Sequence, residues 1–186
     1  MRNQEFKFGA QVRPFRRAAL CCFALCLLAA CAGVVPPPPQ ALPVIPGKAD
    51  HVLVLKERRT LFLMQGDTEL AHFTIALGKN PVGPKRAAND MRTPEGSYLL
   101  DRHNPFSQFY RSIHISYPNT NDIAWAQKNG VSPGGNIMIH GLPKSFAEIG
   151  NYVVTDWTDG CIAVTNQEMD RIWKLVDDNT PIEIDP

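Results

Sequence analysis

Short apolar runs punctuated by turn residues restrict this chain to a fold of many brief strands. His51-Val52-Leu53-Val54-Leu55 and Thr60-Leu61-Phe62-Leu63-Met64 flank the polar Glu57-Arg58-Arg59, the pattern of a hairpin. Gly66-Asp67 is a second turn, and Leu70 to Leu77 reads as a third strand. The loop Gly78-Lys79-Asn80-Pro81-Val82-Gly83-Pro84 is dense in turn formers. Strands follow at Ser97 to Asp101 and at Arg111 to Tyr117, where Ile113 and Ile115 alternate with polar neighbours. Such spacing predicts a mostly β domain with short helices, built as an antiparallel sandwich or a partly closed barrel. One short helix is expected over Asn121–Asn129, ending at Gly130. A second begins at Thr165, where Thr165-Asn166-Gln167-Glu168 fits a capping box and Val164 can staple onto Met169. Its core stripe is Met169, Ile172, Trp173 and Val176. Asn179 and Pro181 stop it before a last strand, Ile182-Glu183-Ile184.

The first residues follow a different logic. Arg13, Arg16 and Arg17 precede an apolar run from Ala18 to Ala30, too short for an ordinary membrane span and typical of a secretory signal. Its end, Leu28-Ala29-Ala30-Cys31, resembles a bacterial lipobox. That resemblance implies cleavage before Cys31, lipidation of Cys31, and stable anchoring by two or three acyl chains. An uncut N-terminal anchor is the alternative. Ala32 after the cysteine directs the expectation toward the outer membrane, facing the periplasm. Pro36-Pro37-Pro38-Pro39, Pro43 and Pro46 form an extended spacer or a plain disordered linker. The expected division is residues 1–30 signal peptide, 31–49 lipidated cysteine and Pro-rich linker, and 50–186 folded domain. With 186 residues and a formal net charge of +1, the chain supports one ordinary domain, and its bulk charge favours neither nucleic acid nor an acidic polymer as partner.

Cysteine usage then becomes informative. Cys21, Cys22 and Cys26 would leave with the signal, and Cys31 would carry lipid, so Cys161 would be the one free thiol of an exported chain. Cys161 follows a turn, Thr158-Asp159-Gly160, and opens an apolar run. Upstream, Ile137-Met138-Ile139 delivers His140 to Gly141. A thiol needs a nearby base to attack near neutral pH, and imidazole is the commonest one. Gly160 beside the sulfur permits close approach of substrate, and the amides around Asp159, Gly160 and Cys161 are placed to meet a developing oxyanion. Spacing alone leaves a Cys–His pair and a buried structural cysteine as equal readings.

The segments Ile139-His140-Gly141 and Thr158-Asp159-Gly160-Cys161-Ile162, in that order, resemble the signature of the L,D-transpeptidase (YkuD-type) catalytic domain. That family carries an upstream HG, then S/T-H-G-C, a hydrophobic residue, and Arg or Asn. Asn89-Asp90-Met91-Arg92-Thr93-Pro94-Glu95-Gly96-Ser97-Tyr98 resembles its acidic residue and TPxGxY element. The resemblance spans His51 to Pro186 and implies a YkuD-like β-sandwich or partly closed barrel. It further implies that Cys161 is the acyl-accepting nucleophile, that His140 is its base, and that Gly141 orients the imidazole. Gly160 and the Cys161 amide match the oxyanion region. The implied substrates are peptidoglycan stem peptides: the sulfur attacks the third residue, terminal D-alanine leaves, and the acyl group passes to an amine or to water. No metal or organic cofactor is implied. Asp159 stands where that family has histidine, and Ala163 where it has Arg or Asn. A carboxylate two residues from the sulfur opposes its ionisation, so Asp159 is expected to turn away or to be bonded by backbone amides.

Further substrate contacts are expected from His114, Tyr117, Thr158 and Arg92, with Tyr117 and Trp157 read either as groove walls or as core aromatics, and Lys85, Arg86 and Arg92 as cations able to meet a substrate carboxylate. A zinc site from His103, His114, His140 and Cys161 lacks any close-spaced ligand pair. The expected activity is that of an exported, lipid-anchored, monomeric L,D-transpeptidase of cell-wall cross-linking or remodelling. The alternatives are an L,D-carboxypeptidase or endopeptidase with the same acyl-enzyme, or a wall-binding lipoprotein without catalysis.

Overall fold

The computed structural model describes residues 47–143 and 155–186. The expected signal peptide, Cys31 and nearly all of the linker lie outside them. Eight strands and two helices follow in the order β1 (His51–Leu55), β2 (Thr60–Gln65), β3 (Thr68–Thr74), β4 (Gly96–Asn104), β5 (Ser112–Ile115), α1 (Thr120–Asn129), β6 (Met138–His140), β7 (Ile162–Ala163), α2 (Asn166–Leu175) and β8 (Thr180–Asp185). All eight strands form one sheet, ordered β3-β2-β1-β8-β4-β5-β6-β7.

The sheet is mostly β meander, as the turn spacing predicts, but it is mixed. β8 enters between β1 and β4 and runs parallel to β1, and β6 and β7 are also parallel. Local turn signals encode only hairpins, so neither parallel pairing is visible in the sequence. The chain beyond β3 continues through Ile75–Gly78 to the opposite edge. There Ala76 and Ala163 exchange two backbone hydrogen bonds of 2.9 and 2.8 Å, and Gly78 bridges to Thr158. The two edges thus meet through this extension, and the sheet curls into a half-barrel.

Alternation decides what fills it. β1 and β2 bury every second residue, and Val52, Val54, Leu61, Leu63, Ile113, Ile139, Ile162 and Ile184 are wholly enclosed. Helix α2 closes this core with Met169 and Ile172. Its Thr165 cap is the expected box: the Glu168 N–H donates to Thr165 Oγ1 at 3.3 Å and the Thr165 N–H to Glu168 Oε2 at 2.9 Å. α1 carries a second box, Asn119 with Asp122, and ends on Gly130 in the left-handed region. Among the described residues no helix is long and apolar enough to cross a membrane.

Candidate active site

The site begins with register. β6 and β7 run parallel with Ile139 beside Ile162 and His140 beside Ala163. Successive side chains point to opposite faces, so Ile139 and Ile162 enter the core while His140 takes the other face. Cys161 immediately precedes β7, where the same register sets it beside Met138 and on the face of His140. Sulfur and imidazole therefore stand diagonally across neighbouring strands, a relation within reach of side chains.

His140 is 4% exposed. Its Nδ1–H donates to Gly141 O at 2.7 Å, because a carbonyl can only accept; this leaves Nε2 as the ring's lone-pair nitrogen. The ring packs against Phe109 (centroids 4.7 Å apart) and edge-on to Trp157 (5.7 Å). Burial pushes its pKa below the ordinary imidazole value, against the opposing hydrogen bond to Gly141. The ring is thus a neutral base at neutral pH. Gly141 is a glycine for a steric reason: a Cβ there would lie 2.6 Å from Asn166 Oδ1 and 3.0 Å from Tyr110 Cβ. Asn166 Oδ1 accepts from the Leu142 N–H at 2.7 Å, fixing the chain just past the histidine.

The sulfur sits on a rigid turn. Thr158 is buried, and its Oγ1 donates to Cys161 O at 2.7 Å while accepting from the Gly160 N–H at 3.1 Å. Gly160 has φ +131°, and a Cβ on it would meet the Arg92 carbonyl oxygen at 2.7 Å. Cys161, partly exposed and unpaired by any disulfide, donates from Sγ to Asn136 O at 3.6 Å. Burial raises the thiol pKa, the Met138 backbone lowers it, Asp159 raises it and Lys85 lowers it. Burial prevails, so the resting pair is a thiol beside a neutral imidazole.

Several expected contacts are redistributed. Asp159 does turn away: its side chain is 78% exposed and its carboxylate accepts from Lys79 Nζ at 2.9 Å. Thr158 spends its hydroxyl on the turn, where it shapes the site. Gly160 likewise commits its N–H to Thr158 and contributes its backbone conformation. Tyr117 is a core residue and no groove wall: it is buried edge-on to Tyr98, and its hydroxyl donates to Pro133 O at 3.0 Å. Arg92 reaches the site through its carbonyl, whereas its guanidinium lies over Gly83. Lys85 is enclosed with Asp90, and Arg86 lies 5.0 Å over the Trp125 ring. His114 remains on the site face, beside Met138, with Nδ1 2.7 Å from Asp101. His103 pairs with Asp178 instead.

Two residues escaped the sequence reading. Phe109, in a loop with no periodicity, caps the imidazole from the β4–β5 connection. Ser112 opposes His140 across β5 and β6 and is buried, and its Oγ has no hydrogen-bond partner. Its alternation with Ile113 was visible; its pairing with His140 was not.

Residues 49–184 match the model of the YkuD L,D-transpeptidase catalytic domain. Over 136 residues the chain is 31% identical to Escherichia coli K12 YafK, provisionally named as an L,D-transpeptidase; the match covers 70% of this chain and 48% of YafK. The structure resembles that of Campylobacter jejuni Pgp2, described as a helical cell shape determining protein, at TM-score 0.55 and 25% identity, covering 72% of this chain and 46% of Pgp2. It also resembles Bdellovibrio bacteriovorus Bd1075 at TM-score 0.51 and 28% identity, covering 72% and 46%. The chain spans about half the length of these relatives.

Proposed function

The chain belongs to the YkuD family of L,D-transpeptidase catalytic domains, and on that premise we propose that it forms a Cys161 acyl-enzyme with a peptidoglycan stem tetrapeptide. The observation that carries this is the placing of His140 and Cys161 on one face of adjacent parallel strands, with Nδ1–H held by Gly141 O and Nε2 left to accept a proton. Nε2 takes the proton from Sγ as the sulfur bonds to the carbonyl carbon of the third residue. The Cys161 N–H is the amide of the turn offered to the oxyanion, since that of Gly160 is engaged. Collapse breaks the bond to terminal D-alanine, whose amine takes the proton back from His140. A second amine or a water then attacks the thioester by the reverse steps.

Shielding by Phe109 and Trp157 suits this scheme, because a neutral base is needed at the start. The likeness to Pgp2 supports a role in wall remodelling that bears on cell shape. The N-terminal residues add a proposed lipid anchor at Cys31, which would hold the domain at the outer membrane within reach of the wall; His114 is proposed as a substrate contact.

Intact-mass measurement of the purified full chain, incubated separately with stem tetrapeptide and with a carbapenem, tests the reading. Adducts that map to Cys161 and vanish in Cys161→Ala are expected. No adduct with either reagent would leave a wall-binding protein. Product analysis with and without an added amine then separates transfer from hydrolysis.

A further inference from the structure

We propose that Asp170, a half-exposed carboxylate on helix α2, is a positioning residue for the base: it clasps Tyr110 and Arg111 and thereby holds Phe109 on the His140 ring. Its effect on rate rests on the acyl-enzyme reading above; its effect on the imidazole does not.

Three consecutive residues of the β4–β5 connection touch the base or its neighbour. The Phe109 ring lies 4.7 Å from the imidazole, centroid to centroid. Tyr110 packs on Gly141, where an added Cβ would stand 3.0 Å from Tyr110 Cβ. Arg111 O accepts from the Gly141 N–H at 3.2 Å. Gly141 in turn supplies the carbonyl that accepts from Nδ1–H. The setting of the imidazole therefore depends on where this connection sits.

The connection is anchored on α2. Inside it, Asn104 Oδ1 accepts from the Phe106 N–H and Ser107 Oγ from the Phe109 N–H, bonds that shape turns but tie them to no other element. Phe109 and Tyr110 are 36% and 37% exposed, so burial alone fixes neither. Tyr110 has φ +68°, a left-handed conformation that a bulky residue keeps only where its surroundings impose it. Asp170 supplies the constraint. Its carboxylate accepts from the Tyr110 hydroxyl, 3.0 Å from Oδ1 and 2.9 Å from Oδ2, and Arg111 Nη1 pairs with Oδ1 at 3.0 Å. The Arg111 guanidinium then lies 5.4 Å over the Tyr110 ring and 5.3 Å over that of Trp173. One turn earlier on the same face of α2, Asn166 Oδ1 accepts from the Leu142 N–H. Two side chains four positions apart on one helix thus hold Gly141 from both sides. Half-exposed ion pairs contribute little to overall stability, so loss of Asp170 should act on the base more than on the fold.

The test is an NMR titration of the full chain and of Asp170→Ala, with the His140 signal assigned by its absence in His140→Gln. In Asp170→Ala the loosened Phe109 admits water, so the His140 pKa should rise toward the ordinary imidazole value. Acylation by stem tetrapeptide, followed by intact mass, should slow on the order of tenfold, while the melting temperature stays close to the parent's. Tyr110→Phe removes one oxygen, should move His140 the same way, and carries the test if Asp170→Ala does not fold. Because the two act through one bond, Tyr110→Phe/Asp170→Ala should shift His140 no further than Asp170→Ala does. A folded Asp170→Ala or Tyr110→Phe chain whose His140 titrates as in the parent would overturn the proposal, leaving the clasp a surface contact. The titration needs no substrate, so a shift at His140 in a protein whose parent chain is never acylated would uphold the clasp and count against the functional reading alone.

Discussion

Gly160 separates two costs that usually arrive together. Replacing it with Ala adds a Cβ at φ +131°, a region nearly closed to side chains, and sets that Cβ 2.7 Å from the Arg92 carbonyl oxygen. The first cost is about 1–3 kcal/mol and the second, an overpacking cost, about 1–3 kcal/mol. The carbonyl cannot retreat easily. Arg92 N–H is bonded to Asp90, and the next carbonyl, Thr93 O, accepts from buried Lys56 Nζ at 3.1 Å. Gly160→Ala should therefore lose about 2–6 kcal/mol, a large part of the stability of an ordinary domain. Two other glycines supply the components. Gly66 has φ +55° and open space around it, so Gly66→Ala should cost only about 1 kcal/mol. A Cβ on Gly78 would fall 2.1 Å from the Met91 carbonyl, so Gly78→Ala reports the steric cost without a positive φ. Urea unfolding followed by tryptophan fluorescence gives the three stabilities, and alkylation of Cys161 reports the turn. Gly160→Ala with stability within about 0.5 kcal/mol of the parent and unchanged alkylation would refute the reasoning, because the turn would then have room that the geometry denies it.

Opening the aromatic wall should move the base toward its ordinary value: Phe109→Ala admits water to the imidazole, so the His140 pKa, followed by NMR titration, should rise, and an unchanged value would show that Phe109 does not desolvate the ring. The same depression sets a pH dependence of folding. The unfolded chain binds the His140 proton below about pH 6.5 while the folded chain does not. The resulting stability is complete above pH 6.5 and is lost as pH falls from there to the lower folded pKa. Thermal melts between pH 7 and 5 should accordingly flatten in His140→Gln, and equal slopes in both chains would contradict this.

Much of the scaffold was written locally. The β1–β2 hairpin, the Thr165 capping box with its Val164–Met169 staple, and the alternation of Ile113 and Ile115 depend on residues a few positions apart, where periodicity and capping chemistry act. The HG and GC signals also survived as local geometry: Gly141 gives way to Asn166 and Tyr110, and Gly160 to the Arg92 carbonyl. The flanking side chains fared differently. Tyr117 reads equally well as wall or core, and Thr158 as ligand or turn-former, until burial and hydrogen bonds are known.

What the sequence determined by itself was most of the strands, the capped helix and the two candidate residues for thiol chemistry, because each is marked by its near neighbours. What tertiary structure alone decided was their meeting. The parallel pairing of β6 with β7 sets His140 and Cys161 on one face, across a gap of 21 positions in the chain. The same folding encloses Lys85 with Asp90, lays Phe109 on the imidazole and commits the Gly160 amide to Thr158. Those contacts join distant segments through packing and register, for which no short stretch of residues carries a signal.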